Sequence, residues 1–155
     1  MYKIGDYVVY KRDVCIIKDI VENYYVLNLI DDNTLTIKVL FKSDLLRNII
    51  TKEESENLIK SIPNIEIINI NDKLLEKEYK RLLSTGNLED LVKIIKTTYL
   101  RNENRIINNK KIGEKDDNYF KKAERFLYNE LSISLNKTYE ETKEYIKYKV
   151  DELVK

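Results

Sequence analysis

The chain contains no histidine and no tryptophan, and it has only one cysteine, one proline and three glycines among 155 residues. Without histidine and with Cys15 alone, the usual zinc-ligand sets and histidine-based catalytic triads cannot be assembled. The glycines stand at positions 5, 86 and 113, too far apart to form a phosphate-binding loop. Carboxylate pairs such as Glu140 and Glu141 fall at predicted helix starts, where they favour the helix dipole. The sequence therefore predicts a protein that is not an enzyme and that needs neither a cofactor nor a metal.

The chain also lacks a long apolar segment and an excess of charge of either sign. No run approaches the roughly 20 apolar residues that cross a bilayer, and the first residues lack the apolar core of a signal peptide. The 28 basic and 27 acidic residues give a net charge of +1, so no overall field favours a nucleic acid or a membrane. A lone cysteine excludes an intramolecular disulfide and suits the reducing cytoplasm. We therefore expect a cytoplasmic protein with neither a membrane nor a small-molecule substrate as its partner.

The residues that are present change in character near position 50. Residues 1–50 consist mostly of short β-type runs, whereas residues 51–155 show helical periodicity throughout. With 43% hydrophobic residues, the chain has enough apolar material to build cores. We expect an α+β protein with a small N-terminal β module at 1–50 and a larger, all-helical module at 51–155.

Four or five short strands are predicted in the first module. Only Glu22 and Asn23 separate the second run from the third, which is typical of an antiparallel hairpin. The residues at 31–34 are Asp, Asn and Thr, which favour a turn. So few strands suit a strongly bent, partly open barrel of the SH3 or Tudor type. The predicted strands cover 7–10, 14–21, 24–30 and 35–40.

The last of these runs alternates in hydrophobicity with a period of two residues. Leu35, Ile37 and Val39 are expected to face the core, and Thr36 and Lys38 the opposite side. Lys38 has two interpretations. It is either a solvated lysine that discourages pairing between sheet edges, or a charge facing a partner beside an edge that is available for strand addition.

Five helices are predicted in the second module from their start and stop signals. Thr51 with Glu54 and Thr138 with Glu141 have the spacing of capping boxes. Pro63 ends the first helix, and Gly86 is placed for a left-handed turn at the end of the second. Each predicted helix has apolar residues along one side and charged residues along the opposite side, which indicates a compact helical bundle. The helices are expected to begin near 51, 71, 87, 117 and 138, with a polar connector at 102–116.

Two local clusters of basic residues are the candidates for contact with phosphate. One lies at the start of the second predicted helix, where neighbouring glutamates partly offset it. The other is the stretch 101–125, with eight basic and five acidic residues. Such clusters also occur on ordinary solvated faces, and the pattern alone leaves both interpretations open. The candidate residues are Lys73, Lys77, Lys80, Arg101 and Arg105.

In order, spacing and module size, the motifs of this chain resemble those of CarD/CdnL-type bacterial transcription regulators. The first module of that family is shared with transcription-repair coupling factors. In the present chain the resemblance rests there on GDYVVY at 5–10, YVL at 25–27, LTIKV at 35–39 and LRNII at 46–50. In the second module it rests on LLSTGNLEDLVKII at 82–95 and AERFLYNEL at 123–131. The similarity covers nearly the whole chain.

The resemblance implies a binding function without chemistry. The family's Tudor-like barrel docks on the β subunit of RNA polymerase, and its helical module lies against promoter DNA and stabilises the open complex. Such a protein is associated with the nucleoid through the polymerase. By resemblance, Lys38 is the basic residue that contacts the polymerase. The contact strand consists of Leu35, Thr36, Ile37, Lys38 and Val39.

The chain departs from the family pattern at two places. Residues 11–15 replace the proline and glycine-rich turn that commonly follows the first strand. Residues 70–73 occupy the position where many relatives carry a tryptophan wedge, and Asp72 there would repel phosphate. We therefore expect weak DNA contact, through phosphates only and beside the polymerase. The alternative is a protein–protein adaptor whose helical module binds a second protein instead of DNA.

Overall fold

The computed structural model describes residues 1–154, so the last residue of the predicted helical module lies outside the described part. Five antiparallel strands come first and five α-helices follow, which confirms the α+β prediction. The strands are β1 (Tyr7–Tyr10), β2 (Asp13–Val21), β3 (Tyr24–Leu29), β4 (Asp32–Leu40) and β5 (Leu46–Asn48). The helices are α1 (Lys52–Ser61), α2 (Asp72–Ser84), α3 (Leu88–Ile107), α4 (Glu114–Leu135) and α5 (Tyr139–Leu153).

The strands form one open sheet in the order β4-β3-β2-β1-β5. The first three links are turns of two residues, and Lys11 and Glu22 adopt positive φ angles of 59° and 54° in the first two of them. The outermost strands β4 and β5 do not pair, so the expected barrel is not closed. Each sheet edge therefore has one strand with a single neighbour.

Alternation along the strands gives the sheet two different faces. The inner face holds the core of the sheet, which is closed over by Tyr2 from the N-terminus and Phe41 after β4. The rings of Tyr25 and Phe41 lie 4.5 Å apart between centroids. The buried members of this core are Val8, Cys15, Ile17, Tyr25, Leu27, Leu29 and Val39.

The prediction that Leu35 belongs to the core is wrong. Strand β4 begins at Asp32 and not after a turn at 31–34, and the register shifts between Asn28 and Leu29, so that Leu29 pairs with Asp32. This irregularity displaces Leu35 from the position opposite Leu29 that simple alternation would give it. As a result, Leu35 is 50% exposed, whereas Val39 on the same strand is buried.

The local signals at the helix starts are confirmed. Thr51 and Glu54 form a reciprocal capping box, with hydrogen bonds of 2.9 and 3.1 Å. Thr138 and Glu141 form the second. Gly86 follows α2 with a φ of +75°, a conformation that favours glycine.

The connector between α3 and α4 is much shorter than predicted. It was expected at 102–116, but α3 continues to Ile107 and α4 starts at Glu114. The polar residues that suggested a loop are helical because Arg101 and Arg105 pair with Asp116 near the start of α4, at 2.8 and 2.7 Å. At this end of the two helices, ion pairs thus add to the apolar contacts that the helices make in their shared core.

The helices share a second hydrophobic core, separate from that of the sheet. Polar contacts join the two parts of the molecule. Arg47 of β5 binds both carboxylate oxygens of Glu130 on α4, at 2.7 and 2.6 Å. Asp31, in the β3–β4 turn, accepts hydrogen bonds from Arg125 and Asn129 of the same helix.

Candidate functional site

Strand β4, with the predicted polymerase-contacting residues, forms a free edge of the sheet. It pairs with β3 alone, so the main-chain groups on its other side have no strand partner within residues 1–154. Its side chains are almost all exposed, except for the half-buried Ile37 and the buried Val39. A free edge of nine residues is long enough to accept an added strand.

Lys38 lies beside this edge on the outer face of the sheet, as the sequence predicted. It pairs across the strands with Val26, and its ammonium nitrogen lies 5.2 Å from the centre of the Tyr24 ring. Thr36, on the same face, donates a hydrogen bond of 3.2 Å to Asn28. Lys38 has no carboxylate within ion-pair distance in the described chain. Its charge is therefore available to a partner.

The outer face around Lys38 carries apolar side chains that the sequence analysis did not single out. At one end of this face Val9 and Val14 are fully buried and Arg47 reaches α4. At the other end Tyr7, Val21 and Leu40 are 43%, 40% and 52% exposed. Because Leu40 is two residues after Lys38 on β4, alternation puts both side chains on the same face, and the sequence pattern could have indicated this neighbour. We call the part of this face next to Lys38 the outer patch, and it consists of Val21, Tyr24, Val26, Lys38 and Leu40.

The structure separates the predicted DNA-binding residues into two groups. Arg101 and Arg105 converge on Asp116, which is only 4% exposed, and Arg101 also reaches Asp72 at 3.1 Å. The hydroxyl of Tyr79 donates a third hydrogen bond to Asp116, of 2.9 Å. The two arginines therefore have a role in packing α3 against α4, and their charges are balanced within the protein.

The titration of this cluster follows from its geometry. Burial raises the pKa of Asp116, but hydrogen bonds from Arg101, Arg105 and Tyr79 lower it by more, so the net pKa is below its usual value. Burial and the hydrogen bond to Asp116 both raise the pKa of Tyr79. The carboxylate thus stays ionised and the phenol stays protonated at neutral pH.

Lys73, Lys77 and Lys80 form the second group and behave differently. All three are exposed, and their spacing of four and three residues puts them on one side of α2. None has a carboxylate within ion-pair distance among residues 1–154. The glutamates that seemed to offset them have other partners, since Glu76 binds Lys115 and Glu78 binds Arg81.

The residues at the start of α2 are held by internal contacts. The side chain of Asn71 accepts a hydrogen bond of 3.0 Å from the amide of Lys73 and so caps the helix. Asp72 is held by Arg101. Neither residue is free to act in place of an inserted aromatic ring.

Reactive groups are scarce. Cys15 is fully buried in the core of the sheet, where burial raises the pKa of its thiol to about 12. It is therefore a protonated, apolar filler at neutral pH. Within residues 1–154, no cluster of three or more acidic or cysteine side chains is arranged to hold a metal ion, and no helix has the length and apolarity required to span a membrane.

Comparison with known proteins adds no assignment. No protein-family model matches the chain, and no curated protein matches it significantly. The resemblance to CarD/CdnL-type regulators rests on the sequence motifs and stays a prediction.

Proposed function

We propose that this protein is a non-enzymatic transcription regulator that docks on the β subunit of RNA polymerase and modulates the stability of the promoter open complex. In this proposal the sheet is a Tudor-like module that binds the polymerase. The helical module lies beside promoter DNA, and the protein is located in the cytoplasm at the nucleoid. The order of the family-like motifs along the chain supports the proposal.

The observation that carries the docking proposal is the free β4 edge next to an unpaired Lys38. Main-chain hydrogen bonds from an added strand would supply affinity, and side chains on the outer patch would supply specificity. Leu40 and Tyr24 offer apolar contact there, and Lys38 offers charge for an acidic partner group. Leu35 lies near the turn end of the same strand, where it is exposed enough to contribute.

The DNA part of the proposal depends on Lys73, Lys77 and Lys80. Three phosphate contacts give weak binding that depends little on sequence and falls steeply with salt, by about one power of salt concentration for each contact. Docking on the polymerase would hold α2 beside the duplex and raise its effective concentration. Because Arg101 and Arg105 are occupied by Asp116, we do not assign them to DNA.

The adaptor function is the second candidate, and the same arginine cluster favours it. Internal pairing of Arg101 and Arg105 removes two charges from the surface that could face DNA, and the whole chain has a net charge of only +1. In that case α2 and its neighbours would contact a second protein while the sheet still docks on the first.

One experiment tests the main proposal and separates it from the adaptor. The tagged chain is purified from its own host, and co-purifying polymerase subunits are identified after chemical cross-linking. Cross-links between β4 and the β subunit, together with added footprint protection on a reconstituted polymerase–promoter complex, are the expected results. Cross-links without added protection favour the adaptor. Absence of the polymerase from the purified material refutes both the docking and the DNA proposals.

A further inference from the structure

A groove runs between α1 and the start of α3, on the side of the molecule where β5 joins the helices. Its floor is apolar, formed by the half-buried side chains of Ile50, Leu58 and Leu88. Its rim is acidic, formed by Glu54, Glu89 and Asp90. We call it the α1–α3 groove, and nothing in the proposed polymerase or DNA contacts uses it.

The acidic rim is not neutralised by the protein itself. None of the three carboxylates has a basic partner within ion-pair distance in the described part of the chain. Glu54 accepts a hydrogen bond of 2.9 Å from the amide of Thr51, and Asp90 accepts one of 2.7 Å from the hydroxyl of Thr85, but neither donor carries a charge. The one cation at the groove, Arg47, is engaged by Glu130 and by the carbonyl of Asn48. The starts of α1 and α3 contribute about half a positive charge each, so about two of the three negative charges remain uncompensated.

The start of α3 has backbone N–H groups that point out of the helix and could donate to a ligand. Asn87 precedes the helix, but its side chain makes no capping hydrogen bond to the helix backbone. Within residues 1–154 the amides of Leu88 and Glu89 donate to no acceptor. These two N–H groups are available to a main-chain carbonyl of a bound peptide.

We propose that the α1–α3 groove binds a peptide segment of a protein partner in which an apolar side chain is flanked by lysine or arginine. The apolar side chain would contact Ile50, Leu58 and Leu88, and the flanking cations would lie over Glu54, Glu89 and Asp90. A carbonyl between them would accept from the start of α3. The charge of the rim selects this occupant over an acidic or phosphate-bearing one. The proposal does not depend on polymerase binding, because β4 lies at the opposite edge of the sheet from β5.

Selection from a random peptide library on the full chain, followed by measurement with the enriched peptide, tests the proposal. We expect enriched peptides to carry two or more basic residues next to Leu, Ile, Val or Phe. By fluorescence anisotropy, Glu89→Arg should weaken binding of such a peptide at least about tenfold, with further weakening by salt. Amide shift changes in NMR spectra should be largest at Leu58, Leu88 and Glu89.

The chain offers a matched control in Glu140. Like Glu89 it is exposed and is the second residue of its helix, but it lies on α5 away from the groove. Glu140→Arg should change peptide affinity less than about twofold, within the usual range for exposed charges. Circular dichroism confirms that both variants are folded.

Several results would overturn the proposal. They are the absence of enrichment, enrichment of acidic or uncharged peptides, equal binding by the Glu89→Arg and Glu140→Arg variants, or shift changes outside the groove. If sedimentation shows that the chain dimerises and Glu89→Arg abolishes the dimer, a second copy of the chain is the occupant instead. Polymerase docking would be unaffected in each case, since it is measured through Lys38.

Discussion

Arg47 and Glu130, 83 residues apart in the chain, form a bidentate ion pair that joins the sheet to the helices. Glu130 is only 1% exposed and also accepts a hydrogen bond of 3.0 Å from the amide of Ile50. That amide lies in the link between β5 and α1. One buried carboxylate therefore fixes both the last strand and the path of the chain into the first helix.

We expect Arg47→Met to lower the free energy of unfolding by about 2 kcal/mol, because it leaves the buried Glu130 carboxylate without its cation. Arg47 itself is partly exposed, so the loss should be smaller than for a fully buried pair. Urea unfolding measures this change. In a double-mutant cycle, Glu130→Gln combined with Arg47→Met should cost less than the sum of the single changes, and strict additivity would argue against the coupling.

Leu35→Asp should leave the protein folded, at a cost of about 1 kcal/mol, because Leu35 is half exposed. Val39→Asp places a carboxylate in the core from the same strand and should prevent folding of the sheet. Circular dichroism and urea unfolding of both variants measure the contrast. Loss of structure in the Leu35 variant would contradict the register of β4 described above.

Lys38→Glu should weaken binding to the isolated β-subunit lobe by several-fold or more without loss of stability, because it reverses an unpaired charge on the outer patch. Lys147→Glu on α5 makes the same change at another exposed lysine and should have no effect. Surface plasmon resonance with the full chain measures both affinities. Equal binding by the wild type and the Lys38 variant would remove Lys38 from the interface.

Replacing Lys73, Lys77 and Lys80 together by Gln should shorten the lifetime of the promoter open complex on polymerase and leave docking unchanged. The reason is the loss of about three phosphate contacts, which should also reduce the salt dependence. A control variant replaces Lys52, Lys60 and Lys147, three exposed lysines on other helices, by Gln. If both triple variants give the same lifetime as the wild type, the helical module does not contact DNA and the adaptor function is preferred.

Two buried carboxylates should affect stability with opposite dependence on pH. The pKa of Asp116 is below its usual 3.8 in the folded state, so its contribution is present above that pH and is lost as the pH falls through the folded-state pKa. Burial is the main cause that raises the pKa of Glu124 above its usual 4.5, so ionisation of this group opposes folding as the pH rises through the folded-state pKa.

Variants in which an amide replaces each carboxyl group test the two opposite pH dependences of stability. Asp116→Asn should destabilise the protein at neutral pH, and the difference from wild type should shrink as the pH falls below 3.8. Glu124→Gln should stabilise it at neutral pH, and its effect should vanish below pH 4.5. Urea unfolding across this pH range measures both effects. If both variants were destabilised at neutral pH, or both stabilised, the opposite pKa shifts of Asp116 and Glu124 would be refuted.

Features set by neighbours in the sequence were predictable. The capping boxes at Thr51 and Thr138 and the hairpin at Glu22 and Asn23 depend on interactions over a few residues, and the structure confirms them. Thr36 and Lys38 are on the outer face, as alternation indicated, because no irregularity intervenes between them and Val39.

Features set by contacts between distant residues were not predictable from local patterns. The position of Leu35 depends on how β4 pairs with β3, and alternation within one strand does not report a shift of register. The length of α3 depends on Arg101 and Arg105 meeting Asp116, although their polarity suggested a loop. Similarly, neither Arg47 nor Glu130 has a sequence neighbour that indicates its partner.

The unequal edges of the sheet limit how this protein can assemble with itself. If two copies paired symmetrically through β4, the β4 edge of each copy would be occupied by the other copy. Further growth would need β5, which is three residues long and whose Asn48 carbonyl already accepts a hydrogen bond from Arg47. We therefore expect any strand addition between copies of the chain to stop at a dimer.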